Sequence, residues 1–220
     1  MMENKNKFTA IVSGASGLVG EQLLSQLLDD QSYEKVIAVV RKPLGLKHEK
    51  LVEQVIDFAQ LPAAVAGINA DHGYCCLGTT IKKAGTKDNQ YIIDHDYVVE
   101  FARGCHIAGV SRFAVVSSIS ANPESSNFYL RTKGKMERDV KLIPFDGIYI
   151  LQPSFLLGER KEHRAGEKAG IAFMKIMDPL MVGKFKKYQG IHALTVAKYM
   201  ISQIQSGENG VKVIQSDKIE

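Results

Sequence analysis

Short apolar runs alternate with longer stretches of helical spacing along this chain. "FTAIVS" (8–13) is compact and β-branched and predicts a strand. "LVGEQLLSQLLDD" (18–30) repeats its apolar residues at Leu23, Leu24, Leu27 and Leu28, the spacing of one helix face. "KVIAVV" (35–40) predicts a second strand, and "LVEQVIDF" (51–58) holds a third that starts near Glu53. "GYCCLG" (73–78) is a fourth. A long helical stretch follows over 88–108 and ends near Gly109. "RFAVVSS" (112–118) is a fifth strand, 127–142 a helix, and "DGIYILQPS" (146–154) a sixth strand stopped by Pro153. "LTVAKYMISQIQ" (194–205) is a helix and "VKVI" (211–214) a short strand.

Near-continuous apolar strands separated by helices predict an α/β fold: a doubly wound parallel sheet covered by helices on both faces. No internal repeat interrupts the pattern. The 220 residues suit one domain, with 157–192, rich in Gly, Lys, Arg and Met, as a small C-terminal substrate wall or lid. In open sheets of this kind ligands bind beyond the carboxyl ends of the strands.

Composition narrows the partners. The chain is 45% hydrophobic and 24% charged with a net charge of +4, ordinary for a globular protein and without the basic stripe that nucleic acid requires. Lys82, Lys83 and Lys87, and again Lys184, Lys186 and Lys187, read as solvated faces. No apolar run approaches the ~20 residues of a membrane span, and the apolar stretch after "MMENKNK" is too short for a signal-peptide core. The three cysteines form no disulfide or zinc pattern, and adjacent Cys75 and Cys76 read as core packing; a cytoplasmic location is expected.

"SGASGLVG" (13–20) stands between the first strand and the first helix. Gly14 allows the tight turn, Gly17 lets backbone approach a pyrophosphate, and Gly20 lets the helix pack closely. With Ser16, Leu18 and Val19 they form a phosphate loop in which first-turn amides face the anion. The spacing is GxxGxxG, not the GxGxxG of the common dinucleotide fingerprint. At the end of the second strand, where a carboxylate would hold the ribose 2′-hydroxyl of NAD, stand Arg41 and Lys42. Two cations there suit a 2′-phosphate, which predicts NADP(H) in preference to NAD(H). Asp57 and Phe58, placed at the end of the third strand, offer a rest for adenine. Leu77, Gly78 and Thr79, at the end of the fourth, would skirt the cofactor ribose and phosphates.

Tyr129 and Lys133 stand four positions apart in "FYLRTKGK", on one helix face. An ammonium there favours the ionised phenol and so builds a proton donor for carbonyl chemistry. The competing reading of the spacing is an ordinary Tyr and Lys on a solvated face.

The loop "GASGLVG", the "VSS" (116–118) and "YLRTK" (129–133) together resemble the short-chain dehydrogenase/reductase superfamily. "CCLGTTIKKAG", "HDYVVEFA", "SSNFYLRTKGKMER" and "RAGE" are similar more narrowly to its atypical, Tat-interacting oxidoreductase-like NAD(P)-binding group. The resemblance runs from about residue 8 to 206 and implies a Rossmann fold that binds NADPH. It implies Tyr129 as general acid/base, Lys133 on the nicotinamide ribose, and Ser118, with Ser117 as the alternative, beside a small carbonyl substrate. Leu156 would approach the carboxamide through its backbone, and Arg164 would reach cofactor or substrate. The resemblance carries a second reading as well: an NADPH-binding regulatory or protein-interaction module with little turnover. A protein partner or homodimer would complete a substrate wall shorter than that of extended members. One departure stands out: Asp94 occupies the place where extended members often carry a relay asparagine. His95 beside it is expected to face solvent.

Overall fold

The computed structural model describes residues 7–158 and 183–220. Most of the expected substrate wall at 157–192, Arg164 included, lies outside the described residues.

Among the described residues seven strands form one parallel sheet: β1 (Phe8–Ser13), β2 (Tyr33–Val40), β3 (Leu51–Val55), β4 (His72–Cys75), β5 (Arg112–Val116), β6 (Gly147–Gln152) and β9 (Gly210–Gln215). Their order is β3-β2-β1-β4-β5-β6-β9, and every pairing is parallel. β7 (Leu156–Leu157) and β8 (Ile191–His192) make a separate parallel pair. Helices α1 (Leu18–Asp29), α2 (Leu61–Ala66), α3 (Ile81–Ala84), α4 (Lys87–Tyr91), α5 (Tyr97–Ile107), α6 (Phe128–Val140) and α7 (Ala193–Gln205) supply the connections.

The strand pleat sorts the core into two layers. Ala10 and Val12 of β1 face one way and pack with Leu23, Leu24 and Leu27 of α1 and with Val196 and Met200 of α7. Ile11, between them in sequence, faces the other way, against Leu61 and Val65 of α2, Phe101 of α5 and Met136 of α6. Period-2 strands between period-3.6 helices leave no other way to bury both sets of apolar residues. The doubly wound Rossmann-type arrangement is therefore as expected. After β3 the chain crosses back over β1 to lay down β4, so the β1/β4 boundary is the switch point at which a crevice opens beyond the strand ends.

Several boundaries move. β3 stops at Val55, so Asp57 and Phe58 do not end it: Asp57 caps a short 3-10 turn that Phe58 opens, accepting a hydrogen bond from the Ala59 amide at 3.0 Å. β4 stops at Cys75 and β5 at Val116, which leaves Leu77–Thr79 and both Ser117 and Ser118 in loops just past the strands. The helix expected over 88–108 is three pieces: α4, a single wide π-type turn at Ile92–Asp96, and α5. A π turn adds a residue to the helical circuit. Here it accompanies two successive polar residues, Asp94 and His95, both turned inward.

Candidate functional site

Close backbone contact builds the floor of the crevice. Gly14 follows β1 with φ +82°, and a Cβ there would lie 2.5 Å from the carbonyl carbon of Cys76 in the loop after β4. Only glycine meets both demands. A Cβ on Gly20 would lie 2.0 Å from the Gly14 carbonyl oxygen, so the first turn of α1 is pressed onto the loop itself. Gly17 is the N-cap of α1 and brings no capping side chain. The first-turn amides are thus left without a side-chain cap at the positive end of the helix dipole. Ser16 is exposed, Leu18 half-buried and Val19 buried.

Arg41 and Lys42 are exposed just past β2. The Arg41 guanidinium carbon lies 5.6 Å from the centre of the Phe58 ring. Phe58 itself is only 5% exposed and meets Tyr97 edge-on at 5.5 Å. It therefore offers no open ring face to adenine, contrary to the expectation. Its place in the site is as a base beneath Arg41.

Helix α6 starts where Asn127 accepts a hydrogen bond from the Leu130 amide at 3.1 Å, which puts Tyr129 in the first turn as predicted. A Cβ on Gly134 would lie 2.2 Å from the Asn122 carbonyl carbon, so the loop after β5 crosses α6 one residue past Lys133. Lys133 is 2% exposed and its side chain points inward. Its Nζ lies 3.4 Å from Asp94 Oδ1 and 3.5 Å from the Leu77 carbonyl oxygen. Asp94 is fully buried and also accepts from the Thr79 amide at 3.0 Å. Burial works against the charge on Lys133, but Asp94 and the nearby Tyr129 outweigh it and raise its pKa above the ordinary value. The structure thus brings together α6, the π turn and the Leu77–Thr79 loop, three segments far apart in the chain. Gly78 packs closely there: a Cβ would stand 3.2 Å from Asp94 Oδ1, tight enough that the carboxylate would have to shift.

The two serines part ways. Ser117 is 4% exposed and donates to Glu137 Oε1 at 2.5 Å, whereas half-buried Ser118 makes a long contact of 3.4 Å to the Ile119 carbonyl. Ser118 keeps a hydroxyl free to turn toward a ligand. Leu156 sits in β7, paired with Ile191.

His95 does not face solvent. It is 8% exposed, with Nδ1 2.7 Å from Asp96 Oδ1 and Nε2 2.9 Å from Asp139 Oδ2, and it stacks on Tyr91 at 4.6 Å. It ties the π turn to α6. Sequence reasoning also missed Glu137. The signal was available: Tyr129, Lys133 and Glu137 recur every four residues, along one stripe of the helix. Cys75 is fully buried and Cys76 packs against the core as expected. Among the described residues no cluster of side chains could hold a metal ion, and no helix is long and apolar enough to cross a membrane.

Comparison with known proteins bears on this crevice. A family model described as NAD(P)H-binding matches residues 14–174. Protein HTATIP2 of Rattus norvegicus is 32% identical over 221 residues, covering 99% of this chain and 88% of that protein. The mitochondrial protein FMP52 of Candida glabrata is 37% identical over 163 residues, 73% of this chain and 69% of that one. Among solved structures, a UDP-N-acetylglucosamine 4-epimerase from Methanobrevibacter ruminantium in complex with UDP-N-acetylmuramic acid superposes with a TM-score of 0.71 at 17% identity, covering 96% of this chain and 77% of that one. MoeE5 in complex with UDP-glucuronic acid and NAD does so with a TM-score of 0.69 at 19% identity, covering 93% and 75%. At such identities the two structures speak for the fold. The expected cytoplasmic location is overturned: FMP52 relatives from several fungi are named mitochondrial. The three cysteines are free and do not single out one compartment.

Proposed function

The chain belongs to the NAD(P)H-binding family, of the atypical short-chain dehydrogenase/reductase kind, and on that premise we propose that it is an NADP(H)-dependent oxidoreductase that reduces a small carbonyl compound through Ser118, Tyr129 and Lys133. One observation carries the reading: the Lys133 ammonium, one turn from Tyr129, is 2% exposed and held by a carboxylate with no exposure at all. A Tyr–Lys pair on a solvated face would leave its ammonium in water. Burying an ion pair costs several kcal/mol in desolvation and adds little net stability, so chemistry accounts for it better than folding does.

The residues fit a dinucleotide. The close glycine contacts, the uncapped start of α1 and the loop at Leu77–Thr79 form a cradle that side chains would fill. Exposed Arg41 and Lys42 would pair with a 2′-phosphate, which supports NADP(H) over NAD(H). Asp57 and the Leu156 backbone belong to the same proposed rim. When bound, the nicotinamide supplies the hydride. The chain's own residues handle the proton. Tyr129 donates it to the carbonyl oxygen as negative charge develops there. Ser118 donates a hydrogen bond to the same oxygen and orients it. Lys133, fixed from behind by Asp94, keeps a positive charge one turn from the phenolate that results.

Replacing Tyr129 with Phe tests this. NADPH consumption with an activated dicarbonyl should fall by at least about 100-fold while NADPH affinity stays within about tenfold. Undiminished turnover would remove Tyr129 from the mechanism. NADPH binding by the wild type with no Tyr129-dependent consumption would favour the regulatory or protein-interaction reading instead.

A further inference from the structure

Glu137 lies one turn beyond Lys133 on the stripe of α6 that begins at Tyr129, and it is 4% exposed. The Lys141 ammonium stands 3.9 Å from its Oε2, on a side chain 37% exposed. Neutral donors do most of the compensation. The Ser117 hydroxyl donates to Oε1 at 2.5 Å, and the Gln152 amide donates to Oε1 at 2.9 Å and to Oε2 at 3.1 Å. Ser117 directly follows β5 and Gln152 is the last residue of β6. The Ser117 amide also donates to the Leu151 carbonyl at 2.7 Å, so the upper ends of β5 and β6 are locked to each other and Glu137 locks α6 to both.

The apolar part of this helix face, Met136 and Val140, packs without directional preference. Three hydrogen bonds of 2.5, 2.9 and 3.1 Å on one carboxylate have, by contrast, definite directions and are lost beyond about 3.5 Å. A buried carboxylate with donors from the ends of two strands therefore holds this turn of α6 to the sheet, as Lys133–Asp94 and His95–Asp139 hold the helix to the π turn. The residue after Ser117 is Ser118, and two turns up from Glu137 is Tyr129.

We infer that Glu137 is a positioning residue: by tying α6 to Ser117 and Gln152 it sets the separation between the Tyr129 and Ser118 hydroxyls. The inference rests on the Ser118–Tyr129–Lys133 reading of the site. It also gives the neighbouring serines separate tasks, Ser117 as anchor and Ser118 facing the ligand.

Two variants test it. E137L removes every acceptor. E137Q keeps an acceptor for Ser117 and, once the Gln152 amide turns over, a donor toward Gln152. E137L should bind NADPH within about threefold of wild type and lose at least about tenfold in kcat with little change in KM, while E137Q stays within about threefold in both. Crystals of E137L should show the Tyr129–Ser118 hydroxyl separation changed by about 1 Å or more. An unchanged separation, or wild-type kcat in E137L, overturns the inference. If the wild type itself lacks Tyr129-dependent turnover, the enzymatic reading fails, and the separation measured in crystals still decides the role of Glu137. Should E137L not fold, S117A carries the test, since it leaves the carboxylate bonded to Gln152 and Ser118 in place. Its kcat should fall about three- to tenfold with the hydroxyl separation altered, and no change in either overturns the inference.

Discussion

Two buried polar clusters occupy opposite ends of the same sheet, and they are built on different principles. At the lower end the Tyr33 hydroxyl sits 2.9 Å from His72 Nδ1 and 2.7 Å from the Tyr74 hydroxyl, with the Phe8 ring 4.4 Å from His72. Every member is neutral near pH 7. Burial raises the Tyr33 and Tyr74 phenol pKa values and pushes His72 down to about 4, against the opposing pull of Asp71. At the upper end the members carry charge: Lys133 against Asp94, and Glu137 held by Ser117 and Gln152. Asp94 Oδ2 is buried there without a hydrogen-bond partner among the described residues. A neutral network satisfies its own donors and stiffens a core at low cost, whereas buried charge is expensive and is kept where a ligand will meet it. The crevice opens at the charged end.

The harshest way to break this contrast is Lys133→Met. It strands the Asp94 carboxylate in the interior, so denaturant unfolding should show a loss of about 3–5 kcal/mol, with turnover gone as well. Adding Asp94→Asn to that variant should restore part of the stability and none of the turnover. Acid tests the lower cluster. The folded-state pKa of His72 lies below its ordinary value of 6.5, so the unfolded chain takes up the proton first. Stability should be level above about pH 6.5 and fall between there and pH 4 by up to about 3 kcal/mol. Thermal unfolding across that window checks it, and His72→Phe should flatten the slope. Milder still, Tyr33→Phe should cost about 1–2 kcal/mol and leave cofactor affinity and turnover untouched, because nothing at the lower end reaches the crevice. Smallest in stability is exposed Arg41→Ala, which should unfold like wild type yet lower the preference for NADPH over NADH about tenfold in a binding titration.

Legibility followed the range of the interactions. The alternation of strand and helix, the glycine turn after β1 and the shared face of Tyr129 and Lys133 are local patterns, and all were readable. The burial of Lys133 was not. Four-residue spacing says that two side chains share a face and nothing about what that face meets. Phe58 and His95 were misread for the same reason. An aromatic near a strand end and a lone helix histidine acquire their roles from Tyr97 and Asp139, partners 39 and 44 positions away in sequence. The π turn was equally hidden: an extra residue shifts the helical phase by about 100°, but the five residues of α4, KDNQY, are too few and too polar to show the shift.

By itself the chain determined its layers and the points at which it must turn, because periods of 2 and 3.6 and the sterics of glycine act between near neighbours. Only the tertiary structure decided which side of α6 leaves water, which of two adjacent serines is spent on Glu137, and that a carboxylate from the π turn meets the ammonium of α6. Those outcomes depend on the order in which strands pair, and strand order brings together residues that no short window of sequence contains.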